Sequence, residues 1–170
     1  MNLGSYLHSR WQASPPLNDL LPVEKVMTGL YFAADPGSSY ATIMLPGGTV
    51  EGYANDGSSV DNVTVRFQVH DADYDHGGAI VVALLVTFDR SDFALSGNDR
   101  VLSMQKTGMP RETQDPHTGQ WDWIVDFKCR VYLAAATPQP DALRGSQRFT
   151  PRRWGKRRAV LNRSQNHQEI

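Results

Sequence analysis

Residues 121–133, WDWIVDFKCRVYL, place a large or apolar side chain at every second position: Trp121, Trp123, Val125, Phe127, Cys129, Val131 and Leu133. Asp122, Asp126, Lys128 and Arg130 stand between them, with Ile124 and Tyr132 as the exceptions. A side-chain period of two predicts a long β-strand with one face in a core and the other polar. The same period recurs over 63–69, where Val63, Val65, Phe67 and Val69 alternate with Thr64, Arg66 and Gln68, and predicts a second strand. YATIMLPGG at 40–48, ended by Pro46-Gly47-Gly48, and RVLSMQK at 100–106 read as two more. Leu3, Tyr6, Leu7 and Trp11 stand near helical spacing and predict a helix over 3–13, stopped by Ser14-Pro15-Pro16. A short helical or extended piece, LNDLLPVEKVMTGLYF, leads from there to a turn at Asp35-Pro36-Gly37. The apolar run AIVVALLVTF at 79–88 predicts a helix packed across the sheet, with the polar groups of HDADYDHGG before it suited to capping.

Three connections separate these elements. Residues 49–62, TVEGYANDGSSVDN, are rich in Gly, Ser, Asn and Asp and read as a loop with a turn signal at Asn55-Asp56-Gly57. Residues 89–99 read as a second loop, and 107–119 as an exposed connection. The order helix, strand, strand, helix, strand, strand implies an α+β fold, with an antiparallel or mixed sheet of about four strands and helices on one face. Beyond Ala136 the hydrophobic periodicity is lost. The chain therefore divides into a domain over 1–136, including the 49–62 loop, and a flexible, extended basic arm over 137–170.

Composition changes this picture in one respect. The net charge is −1 over 170 residues, yet eight of the 17 basic residues lie between 144 and 163. Residues 1–143 carry −8, with nine basic against 17 acidic side chains, and the remainder carries +7. An acidic body with a basic arm implies an arm that docks on something negative, either nucleic acid or the acidic surface of a neighbouring copy. In RFTPRRWGKRR, Phe149 and Trp154 interleave with arginines, a composition that grips phosphates and stacks on bases; Pro151 argues against one uninterrupted helix. No apolar run reaches the roughly 18 residues needed to span a bilayer, and the N-terminus lacks a basic segment followed by an apolar one. These features place the chain in a cytoplasm, with no membrane partner.

The densest group of chemically capable side chains is HDADYDHGG, with His70, Asp71, Asp73, Asp75 and His76. Counted from Asp71, a calcium loop would need Gly at its sixth position and Glu at its twelfth, where the chain has His76 and Val82. Two histidines and a distant cysteine fall short of a zinc set, so capping of a helix N-terminus is the favoured reading. The glycine pairs of LPGGTVEG and DHGGA lack phosphate-loop spacing, and no nucleophile elbow is present. Cys129 lies on the inward face of its strand, as a small buried hydrophobe does. No catalytic residue, metal site or cofactor is assigned, and the chain does not read as an enzyme.

The run from VTVRFQVHDADYDHGGAIVVALLVTF through RVLSMQK and RETQDPHTGQ to WDWIVDFKCRVYL resembles the tail terminator, or tail completion, proteins of long-tailed bacteriophages. The resemblance covers 63–133 best and 1–135 loosely; the 49–62 loop and the arm depart from the family's compact pattern. It implies a structural virion protein that caps the head-proximal end of a tail tube as a homohexameric ring, stops tube growth and forms the head-tail joining surface. Its implied partners are further copies of itself, the tail tube protein, head-completion or neck proteins, and DNA sliding non-specifically through the channel. It also implies assembly in a host bacterial cytoplasm and residence in the virion. Another head-tail connector or adaptor protein, or a nucleic-acid-binding module using the arm, fits the same features. Rings need complementary charges at subunit edges, which nominates Arg111, Glu112, Asp115, His117, Asp122, Asp126, Lys128 and Arg130 as interface residues. The arm nominates Arg148, Arg152, Arg153, Trp154, Lys156, Arg157 and Arg158.

Overall fold

In the computed structural model the strand over Trp121–Leu133 is the axis of a seven-stranded mixed sheet. Residues 3–29 and 37–135 are described. They lie in the first of two units into which the chain divides, Met1–Ala136 and Thr137–Ile170. The elements are α1 (Leu3–Gln12), α2 (Pro15–Leu20), β1 (Val26–Thr28), β2 (Ser39–Tyr53), β3 (Ser59–Asp71), α3 (Tyr74–Phe88), β4 (Ser91–Ala94), β5 (Arg100–Lys106), β6 (Arg111–Gln114) and β7 (Trp121–Leu133). Strand order is β1-β2-β3-β7-β5-β4, with β6 also paired to β7. Among the described residues only the β1–β2 pair is parallel. All 13 residues of β7 pair with β3 on one side, while β5 and β6 divide its other side between Phe127–Tyr132 and Trp121–Ile124. Flanked on both edges, β7 has every reason to alternate cleanly, because each face meets a different environment.

The α+β class holds, and the sheet is larger than the four strands expected. β1, β4 and β6 were missed because each has only three or four residues, too few to show a period. Within 49–62 the expected loop shrinks to a turn over 54–58: β2 runs on to Tyr53 and β3 begins at Ser59. The turn signal between them is real. Gly57 takes φ +86°, and the Asp56 carboxylate accepts hydrogen bonds from the Ser58 amide (2.9 Å) and hydroxyl (2.7 Å). Pro46 does not end β2 because the ladder skips it: the β2–β3 register shifts between Met44 and Gly47, so the missing proline N–H falls at a bulge.

The helices pack on one face of the sheet. Leu3, Leu7 and Trp11 of α1, Leu17 of α2, and Ile80, Val81, Ala83, Leu84 and Phe88 of α3 bury against Ala41, Ile43, Val65, Phe67, Val69, Val125, Phe127, Cys129 and Val131. Phe67 is the centre, with ring centroids 6.1 Å from Trp11, 4.9 Å from Phe88 and 5.7 Å from Phe127. Fully burying a side chain of this size stabilises by about 1.5–3 kcal/mol. The Trp11 indole N–H, sealed in this core, donates to the Leu21 carbonyl at 2.8 Å. Helix α3 begins at Tyr74, five residues before the apolar run, because Asp73 caps it by accepting from the amides of Asp75 (2.9 Å) and His76 (3.1 Å).

Candidate assembly interface

The opposite face of the sheet carries no helix among the described residues and is a ladder of charges. Register sets each rung. Tyr40, His70 and Asp122 stand side by side across β2, β3 and β7, as do Met44, Arg66 and Asp126. The Arg66 guanidinium grips Asp126 with two bonds, Nε at 2.7 Å and Nη2 at 3.1 Å, and Arg111 from β6 reaches the same carboxylate at 2.9 Å. The Arg66 hydrogen bond is the largest cause holding the Asp126 carboxyl below its ordinary value; burial opposes it, and the Arg66 charge, the Arg111 charge and the Arg111 hydrogen bond reinforce it. His70 Nδ1 lies 2.5 Å from Asp122 while its ring stacks on Tyr40, centroids 4.2 Å apart. Four residues beyond Asp126, Arg130 makes a two-pronged pair with Glu51, both bonds 2.9 Å. Lys128 is exposed between these rungs, and no ion pair to it forms among the described residues.

The nominated residues therefore divide. Asp122, Asp126, Lys128, Arg130 and Arg111 share this outer face, as the alternation of β7 requires. Glu112 turns to the helix side, where it accepts the Tyr74 hydroxyl at 2.9 Å. Asp115 and His117 sit in the β6–β7 turn, and the Asp115 carboxylate accepts the His117 amide at 2.8 Å, which lowers its pKa. The arm residues from Arg148 to Arg158 lie outside the described residues. Three partners in the ladder were missed. Arg66 stood at an outward position of the strand expected over 63–69, so its signal was present, whereas His70 lay just past that strand, in the segment read as a helix cap. Glu51 lay in the segment read as a loop, and only pairing assigned it a face.

The His70–His76 cluster does not converge. Strand alternation puts His70 on the outer face and buries Asp71 on the inner one, where its carboxylate takes the Asp73 amide (2.8 Å) and His76 Nδ1 (2.6 Å). Among the described residues no group of three or more His, Cys, Asp or Glu is placed to hold a metal ion. Burial pushes the Cys129 thiol up to about 12, which leaves it a packing residue at neutral pH. Among the same residues no helix is long and apolar enough to cross a membrane.

No protein-family model matches the chain, and no curated protein matches it. Among solved structures the fold is similar to that of a chain in the virion of a native gene transfer agent particle, with a TM-score of 0.58 and 13% sequence identity. The match covers 75% of this chain and 92% of that one. At this identity the likeness is one of fold.

Proposed function

We propose that this chain is a structural protein of a phage-like virion, assembling with copies of itself and with other virion proteins. The observation that carries the reading is the fold shared with a chain of a gene transfer agent virion, 92% of which is matched. The charged outer face of the sheet supports it, since an array of charges, most paired and Lys128 without an ion pair among the described residues, suits a protein surface better than a substrate pocket. The finer reading is a tail terminator: a hexameric ring that caps the head-proximal end of a tail tube, stops its growth and presents a surface to neck proteins. Such a ring repeats one heterologous contact around an axis, so a patch on each copy meets a different patch on the next. A body rich in acidic residues would let DNA slide through the channel without sticking.

Native mass spectrometry of the full-length protein over a concentration series tests the ring, with negative-stain imaging of the same samples. Closed rings that cap growing tail tubes and halt their elongation support the terminator reading. Rings that bind heads but leave tube growth unchanged would assign the chain to another neck position. A monomer at every concentration, even with tail tubes present, would sink the assembly reading.

A further inference from the structure

Tyr74, the first residue of α3, is 44% exposed and closes a corner with two tryptophans of β7. Its ring lies edge-on to Trp121, centroids 4.8 Å apart, and 5.6 Å from Trp123; the two indoles are 6.2 Å apart. Register builds the rest of the corner, because Glu112 of β6 stands opposite Trp123 and Gln114 opposite Trp121. Glu112, which accepts the Tyr74 hydroxyl, and Asp73 and Asp75, which flank Tyr74 in the chain, are exposed. Among the described residues none of the three has a basic partner, and Arg111, next to Glu112, turns to the other face of the sheet to meet Asp126. The negative field reaches the phenol. The Glu112 hydrogen bond, the Glu112 charge, burial and then the Asp75 charge hold the Tyr74 pKa above its ordinary value.

The exposed Tyr74 ring, bordered by the Glu112 and Asp75 carboxylates that no basic side chain meets among the described residues, attracts a cation that can stack and hydrogen-bond at once. A guanidinium does both, through its flat face and its fork of donors, whereas an ammonium offers only a point charge. Residues 144–163 supply this chemistry within the same sequence: seven arginines, one lysine and no acid. We infer that the Tyr74–Trp121 corner receives arginine side chains from the 144–163 segment of a second copy of this chain. Recognition of arginine stands on the corner's own chemistry. The choice of a second copy rests on the ring reading, because a patch on one copy and a segment of the next form the heterologous contact that a ring repeats.

A photoreactive p-benzoylphenylalanine in place of Gln114, in the full-length protein, tests this directly. Isotopically heavy and light chains are mixed, illuminated, and their cross-linked peptides read by mass spectrometry. The expected result is cross-links from position 114 to residues 144–163, in heavy–light pairs. Their yield should fall several-fold at high salt, and several-fold again when Tyr74→Leu and Glu112→Gln are combined in protein whose thermal unfolding is unchanged. Absence of these cross-links, or cross-links elsewhere, would overturn the inference. Cross-links confined to single chains would remove the second copy as the source. Hexameric rings without the cross-link would leave the virion reading standing and overturn this one.

Discussion

At the scale of single residues, two positions carry distinct physical weight. A Cβ built on Gly77 would lie 2.1 Å from the Trp123 ring, so this turn of α3 reaches the sheet only because it has no side chain there. Gly77→Ala would gain helix propensity, yet it forces the helix off the indole. We expect a net loss of about 1–3 kcal/mol, the usual range for overpacking, read from the urea midpoint. Asp126 is the second position. Its folded pKa lies below the ordinary carboxyl value of about 3.9, so its contribution is complete above that value and is lost as pH falls through the folded one. Wild-type stability should therefore decline in acid below about pH 4. Asp126→Asn should cost about 1 kcal/mol at neutral pH and flatten that decline, as measured by denaturation at a series of pH values. Alternation in the sequence had already put Asp126 outward and Phe127 inward. That Asp126 binds two arginines from different strands was not legible, because Arg66 is 60 residues away in the chain.

Among the elements, α3 and the β2–β3 hairpin show opposite relations between sequence and structure. Short acids before an apolar run are a strong local signal, and Asp73 caps α3 as those residues suggested. Asp73→Ala should cost about 1 kcal/mol, seen as a lower thermal midpoint with the helical signal otherwise kept. Asp71 holds the Asp73 amide and His76 beside the cap, so the entry to the helix should persist without Asp73. The hairpin has no comparable local signal. Gly47, Gly48, Gly52 and Gly57 with neighbouring Ser, Asn and Asp compose a loop by any local measure. The segment is nevertheless extended, because Ser59–Thr64 pair with Lys128–Leu133 and draw Gly47–Tyr53 into the same ladder. Strand formation there depends on a partner some 70 residues away, a tertiary effect that overrides propensity. Length rather than distance hid β6, whose four exposed residues are too few to show a period and pair with the nearby Trp121–Ile124.

For the molecule as a whole, the useful distinction is between charges that hold the sheet together and charges left for partners. Arg66, Arg111, Asp126, Arg130 and Glu51 are engaged within the chain, whereas Lys128 is exposed and makes no ion pair among the described residues. Lys128→Glu should therefore leave unfolding stability within about 0.5 kcal/mol of wild type. If the outer face lies between copies, the same change should lower the fraction of assembled rings in native mass spectrometry, and the effect should shrink as salt rises. The sequence by itself determined the α+β class, the two long alternating strands, the helix on the apolar run with its polar cap, and the outward row on β7. Each of these is a local period or a local cap, readable within a dozen residues. Only the tertiary structure decided the seven-strand sheet, the extended hairpin, the pairing of Asp126 with two arginines, and the scattering of the His70–His76 cluster. Those depend on which strands lie side by side and on which face each residue takes, and no local pattern encodes contacts between residues far apart in the chain.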